Sequence, residues 1–283
     1  MANQNPTGVG IYLRATGPMP PPKQAAKTAK DAGVSFVAFY VVQQDVSKGK
    51  PRTTMITSVE DVKRYGDAFA TAGINPWLWG YPWAGREDEF VDKMKAATTG
   101  NVVGWILDPE LGYKWKGSGT RAGQKEADPD APPPTGSKAA MQAAVATLMD
   151  KSLGALADKH GLGVTSYGMA DYHKNFPWAE FVASENFEAA GWGSPQLYDV
   201  SPDQIDQGIA SWRALGWTHL VPSVPAFGTK SGAKLHDFLS SFVDGSEAIS
   251  GFIVWSWPQI SPDEWRVFRR WADWFERYPQ IIR

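Results

Sequence analysis

The sequence predicts an α/β fold of one architecture, a single (β/α)8 TIM barrel over residues 1–283, on three observations. Eight apolar runs alternate with eight helical patterns. The runs are continuously hydrophobic rather than alternating, the mark of strands covered on both faces in a parallel sheet. The chain of 283 residues is also about as long as eight strand-helix units require. No GxGxxG follows the first apolar run, which argues against an open dinucleotide-binding sheet.

Taken in order, the expected strands are 8–15, 34–42, 74–81, 101–108, 162–169, 189–199, 218–227 and 251–257. Helical patterns occupy 22–33, 57–73, 87–98, 137–161, 177–187, 201–216, 231–245 and 261–278. Three helices carry capping-box spacing, Thr57 with Glu60, Ser201 with Gln204 and Ser261 with Glu264, and Pro202 and Pro262 fill the first helical position of the last two. Gly33, Gly73, Gly161, Gly216 and Gly245 stand where helices should turn back toward the next strand. The exceptional segment is 111–137, a Gly/Pro-rich insertion after the fourth strand. A loop of that length in a compact barrel is usually functional, and its position after a strand puts it on the face where barrels build their sites.

Composition removes several classes of function. Net charge is -2, with the 28 Lys and Arg scattered rather than gathered into a stripe, so nucleic acid is not an expected partner. No apolar run reaches the roughly 20 residues of a membrane helix, and MANQNPTGVG lacks the regions of a secretory signal. The expectation is a product made in the cytoplasm without a membrane partner, acting on a cell wall only after lysis or a dedicated export route. Cysteine is absent, and the four histidines show no metal-binding spacing, so neither a metal nor another cofactor is expected. The 14 tryptophans are the positive signal, since flat aromatic faces suit both a packed core and a cleft that stacks on sugar rings.

In a barrel, only residues at strand C-termini share a mouth. The fourth strand ends GWILDPELG, leaving Asp108 and Glu110 two apart on one face with Pro109 between them. Two close carboxyls resist joint ionisation, so one should hold a proton near neutral pH and be able to serve as a general acid. Around them the other strand ends offer Tyr12, Arg14, Trp79, Tyr81, Gln196, Tyr198, Asp199, Trp255 and Trp257 as substrate walls. Arg14 suits a substrate carboxylate or an internal pairing with Asp108 or Asp199. Trp255 and Trp257 alternate about Ser256 and so share a face, and the expectation is that one of the two stacks on a sugar while the other belongs to the core. A second carboxylate across the cleft would come from Asp199 or Asp171. Without one, the substrate's own N-acetyl group must attack the anomeric carbon.

Four segments then resemble glycoside hydrolase family 18, the chitinase-like barrels, in the right strand order: GIYLRATG, LDPE, PQLYD and GFIVWSW. The resemblance implies Glu110 as the acid, Asp108 as the assisting carboxylate, Tyr198 beside the N-acetyl group and Trp255 as the floor of the central sugar subsite. Val103 and Ile106 stand where that family's DxxDxDxE has its first two acids, and LWGY replaces its third-strand SxGG. The DxE also resembles family 25, the muramidases, although GIYLRAT lacks their acidic first strand. Together these imply an endo-acting glycosidase on a β-1,4-linked N-acetylhexosamine polymer, peptidoglycan or chitin. The alternative is a carbohydrate-binding barrel without catalysis.

Overall fold

The apolar runs become strands that pair in parallel with one another, and the chain closes on itself. The structure, a computed structural model, describes residues 5–47, 49–115, 136–156, 160–183, 191–198, 200–226, 236, 239–240 and 249–277. Its strands are β1 (Gly8–Leu13), β2 (Val34–Ser47), β3 (Lys50–Met55), β4 (Asn75–Tyr81), β5 (Gly104–Leu107), β6 (Gly161–Tyr167), β7 (Gly191–Gln196), β8 (Ser223–Pro225) and β9 (Gly251–Trp255). Leaving β3 aside, eight strands follow chain order around the barrel, and β1 pairs in parallel with both β2 and β9 to close it. This is the (β/α)8 barrel expected from the sequence.

The departure is β3. The second strand runs on to Ser47 and folds back antiparallel, pairing Gln44 with Thr53 and Val42 with Met55. Its sequence, KPRTTM, is exposed at one end and only half-buried at the other. With no buried face it carries no apolar signal, so a reading based on hydrophobic runs passes over it. Buried Gln44 ties this hairpin to the next loop: its amide nitrogen donates to Thr53 Oγ1 and to the Arg86 carbonyl, both at 3.1 Å, and its oxygen accepts from the Trp83 backbone N–H at 3.0 Å.

The helices are α1 (Pro22–Asp31), α2 (Val59–Thr71), α3 (Glu87–Ala97), α4 (Lys138–Ala155), α5 (Trp178–Val182), α6 (Pro202–Ala214) and α7 (Pro262–Arg277). The helical pattern at 231–245 lies largely outside the described residues, as do Gly245 and most of the 111–137 insertion. Ser201 with Gln204 and Ser261 with Glu264 form the expected capping boxes. On α2 the cap is Ser58, which accepts from the Asp61 N–H, because the Thr57 hydroxyl is buried and donates to the Tyr40 carbonyl at 2.7 Å. Gly33, Gly73 and Gly216 take positive φ after their helices. Gly161 instead opens β6, where an added Cβ would lie 2.6 Å from the Trp77 ring.

That contact belongs to the barrel interior. Phe36, Trp77 and Trp192 fill it, with Trp77 edge-on to Trp192 at 5.4 Å. Glycines on facing strands make room: a Cβ on Gly163 would come within 2.3 Å of Trp192, and one on Gly104 within 2.4 Å of Trp77. Toward the C-terminal ends of β1, β2, β4 and β9 the interior side chains are Tyr12, Tyr40, Trp79 and Trp255, so aromatic packing rises to the mouth. A second apolar layer lies between strands and helices. Among the described residues no helix is long and apolar enough to cross a membrane.

Candidate active site

Where β5 ends, the backbone keeps its register for one more residue: the Asp108 N–H donates to the Gly80 carbonyl at 2.9 Å. Ser166 on β6 then donates its hydroxyl to the Pro109 carbonyl at 2.6 Å, and the Tyr113 N–H reaches the Glu110 carbonyl at 3.0 Å in the short turn Leu111–Tyr113. The Asp108–Pro109–Glu110 backbone is thereby pinned from both sides. Asp108 and Glu110 both line one cavity of about 310 Å³ at the barrel mouth.

The electrostatics of the pair follow from burial. Asp108 is only 4% exposed. Desolvation, then the neighbouring charge of Glu110, push its carboxyl well above the usual range. Gln196 opposes this by donating from Nε2 to Asp108 Oδ1 at 2.9 Å. The Trp79 indole also favours the charged form, although its N–H makes no hydrogen bond of standard geometry. Glu110 is likewise raised by burial, against the opposing influences of Gln196, Lys114 and Tyr81. The two acids therefore titrate as one unit, and the deeper Asp108 competes for the proton that the sequence reading gave to Glu110.

Four rings form the wall. Tyr12 lies 5.0 Å from Trp79 and 5.5 Å from Trp255, Trp79 meets Trp255 edge-on at 4.8 Å, and Tyr40 lies 4.0 Å from Trp79. Trp255 is half-buried at the end of β9, and the peptide bond that follows it is cis. Trp255→Ala is expected to weaken the binding of a sugar ring stacked in this cavity about tenfold, from the loss of roughly 1.4 kcal/mol of ring contact. Titration calorimetry of both forms with N-acetylglucosamine oligomers checks this. Beneath the rings is a hydroxyl cluster: Tyr12 and Ser194 lie 3.2 and 2.8 Å from Ser223 Oγ, with Thr165 at 3.5 Å. Burial pushes the Tyr12 phenol up to about 12, so it stays protonated and can donate.

Most of the sequence-predicted residues converge. Tyr12, Arg14, Trp79, Tyr81, Asp108, Glu110, Gln196, Tyr198 and Trp255 all line the cavity. Tyr198 sits near Ser223 with its hydroxyl pushed well up by burial. Arg14 is exposed rather than buried, its guanidinium 5.2 Å above the Tyr40 ring, and it forms no ion pair with Asp108. Trp257 does not belong to the site. Regular strand ends at Trp255, the chain enters the turn Trp257–Gln259, and the indole packs in the outer core against Phe69 and Trp265. Asp171 is exposed and away from the cavity, and Asp199 lies outside the described residues. Among the described residues, Asp108 and Glu110 are the cavity's only carboxyls.

The sequence reading missed Tyr40, Gln43 and Thr165, which also line the cavity. Tyr40 lies two residues before the end of the expected second strand and Thr165 four before the end of the fifth, inward-facing positions that a reading confined to strand ends passes over. Gln43 lies on the unpredicted extension of β2. Among the described residues no group of three or more His, Asp and Glu side chains is arranged to hold a metal ion.

The sequence matches no protein-family profile and no curated protein. Similarity is found at the level of structure. The hyperthermostable endo-1,4-beta-D-mannanase from Thermotoga petrophila RKU-1 superposes with a TM-score of 0.58 at 12% identity, covering 95% of this chain and 100% of that one. The spore cortex-lytic enzyme SleL of Bacillus megaterium QM B1551 gives 0.55 at 9%, over 94% and 74% of the two chains. A tamarind chitinase-like lectin gives 0.53 at 9%, over 98% and 100%. At these identities the likeness establishes the (β/α)8 barrel alone.

Proposed function

We propose that this chain is an endo-acting glycoside hydrolase of β-1,4-linked N-acetylhexosamine polymers, with peptidoglycan ahead of chitin. The observation that carries the reading is the pair of carboxyls, buried Asp108 and half-buried Glu110, both raised by desolvation in an aromatic-walled cavity at the barrel mouth. In the reaction, Glu110 gives its proton to the glycosidic oxygen while the carbonyl oxygen of the substrate's N-acetyl group attacks the anomeric carbon. The bond to the leaving sugar breaks, and ionised Asp108 steadies the cationic ring that forms. Water then attacks the anomeric carbon, the ring opens, and Glu110 recovers a proton. Substrate assistance fits a cavity whose described acids come from one segment of β5 and its loop. The names of the mannanase and the cortex-lytic enzyme agree with a polysaccharide substrate.

Peptidoglycan is favoured by Arg14, an exposed cation at the mouth without an ion-pair partner among the described residues. Peptidoglycan carries acidic lactyl-peptide substituents and chitin carries none. Arg14→Ala is expected to lower kcat/KM on peptidoglycan about two- to fivefold, the range of an exposed charge pair, and to leave chitin oligomers unaffected. Cleavage itself is tested by digesting both polymers and identifying the new reducing sugar. Muramic acid or glucosamine at new ends supports the reading, and intact polymer after long incubation contradicts it. A second reading, a sugar-binding barrel without turnover, rests on buried Ile106 beneath the acid pair, where a relay carboxylate would otherwise stand. Oligomer binding without new reducing ends would favour it.

A further inference from the structure

Lys114 stands four residues after Glu110 and does not line the cavity, yet it is only 9% exposed. Burying an ammonium is costly unless something compensates it. No carboxylate among the described residues forms an ion pair with it. Its Nζ instead lies 2.9 Å from His173 Nδ1 and 4.1 Å above the Tyr167 ring, and His173 in turn stacks on Tyr167 at 3.9 Å. Burial and the nearby ammonium push His173 down to about 4, so its ring is neutral at pH 7 and Nδ1 accepts from Lys114. The surroundings are rigid. The Trp178 indole donates to the His173 carbonyl at 3.0 Å, and Trp115 and Asn175 exchange two hydrogen bonds of 3.1 and 3.0 Å that tie the loop after β5 to the loop after β6.

We propose that Lys114 is a positioning residue for Glu110: one short turn on from the acid, and held by His173 and by the Tyr167 ring next to Ser166, which itself bonds the Pro109 carbonyl, it is a buried cation beside the acid's own segment that compensates the charge left on Glu110 after proton donation. This rests on Glu110 being the general acid. Glu110 passes from neutral to anionic as the glycosidic oxygen takes its proton, and a fixed cation favours that change without entering the cavity. The field acts in both directions: burial pulls the Lys114 ammonium down to about 8, and Glu110 is what opposes that loss. Other titratable groups facing Glu110 are Asp108 on its own segment, Tyr81 from β4 and Tyr167 from β6. Tyr40 and Tyr198 line the same cavity and are raised by burial and by Glu110 as well. The tyrosines are raised by burial and stay neutral at working pH, and Arg14, the other cation of the mouth, is exposed to screening solvent above the Tyr40 ring, so the buried Lys114 supplies the compensating charge.

Activity requires Glu110 protonated and falls as pH rises through its pKa. Lys114→Met is therefore expected to move the alkaline limb of kcat/KM upward by about one pH unit or more, the scale of losing one nearby opposite charge. It should also lower kcat about tenfold, because Glu110 becomes a weaker acid, while KM stays within about twofold. Lys114→Arg should restore the limb. The Glu110 carboxyl titration, followed by ¹³C NMR in wild type and both variants, reads the same displacement without any substrate. Should Lys114→Met fail to fold, Lys114→Gln serves in its place. A wild-type limb and a wild-type Glu110 titration in the uncharged variant would overturn the proposal. If Glu110→Gln itself keeps turning over, the acid assignment fails instead, whatever the Lys114 variants do.

Discussion

Glu110→Gln is expected to lower kcat by about 10²- to 10⁴-fold while leaving KM and folding close to wild type. The magnitude is that of removing a general acid whose proton transfer is concerted with bond cleavage. The substitution is nearly isosteric, and an amide keeps acceptor and donor atoms for the Gln196 and Tyr81 partners that face the carboxyl. What it lacks is a proton that can leave. Rates on a soluble N-acetylated oligosaccharide, together with circular dichroism of the variant, check both parts. An aryl glycoside whose leaving group needs no protonation should recover much of the lost rate. That recovery would separate an acid from a residue that merely shapes the cavity.

Asp108→Asn should lower kcat by about 10²- to 10³-fold, the scale of removing a preorganised electrostatic stabiliser, and should also make the protein more stable at neutral pH. The second effect follows from sign. Burial and the charge of Glu110 raise the folded-state pKa of Asp108 above its unfolded value near 4. The folded state thus binds the proton more tightly, and the pair costs stability once pH passes the unfolded value, increasingly up to the folded one. An amide removes that cost and still accepts from Gln196. The melting temperature of Asp108→Asn should exceed wild type at pH 7 by on the order of 2 °C for each kcal/mol relieved, and the two should converge near pH 4. A variant less stable than wild type at pH 7 would mean that the carboxylate is a structural anchor rather than a strained functional group.

Much of this was legible in the chain because the barrel writes its strands as apolar runs. All eight were locatable, and the acid pair followed from one fact, that the run before Asp108 ends in two carboxyls spaced by a proline. What escaped depended on contacts distant in sequence. Lys50–Met55 is a polar strand held by its pairing with β2, so no hydrophobic pattern marked it. Trp257 was misplaced because strand alternation was carried past Trp255, where the backbone turns and the next indole swings into the outer core. Nothing in the sequence around Lys114 sets it apart from the other loop cations. Only the folded chain brings it to His173, 59 residues on, and to the Tyr167 ring.

Asp108 and Glu110 are proposed to act with the substrate's own N-acetyl group, and the stereochemistry of the product tests that most directly. ¹H NMR of an N-acetylated β-1,4-linked oligosaccharide, recorded in the first minutes of hydrolysis by the wild-type protein, reads the anomer before mutarotation mixes the signals. Attack by the N-acetyl oxygen followed by water inverts the anomeric centre twice, so the new reducing end should appear as the β anomer. Appearance of the α anomer first would contradict substrate assistance and require a single displacement by water. It would demand a general base for that water, which the two carboxyls of the β5 segment were not assigned to provide.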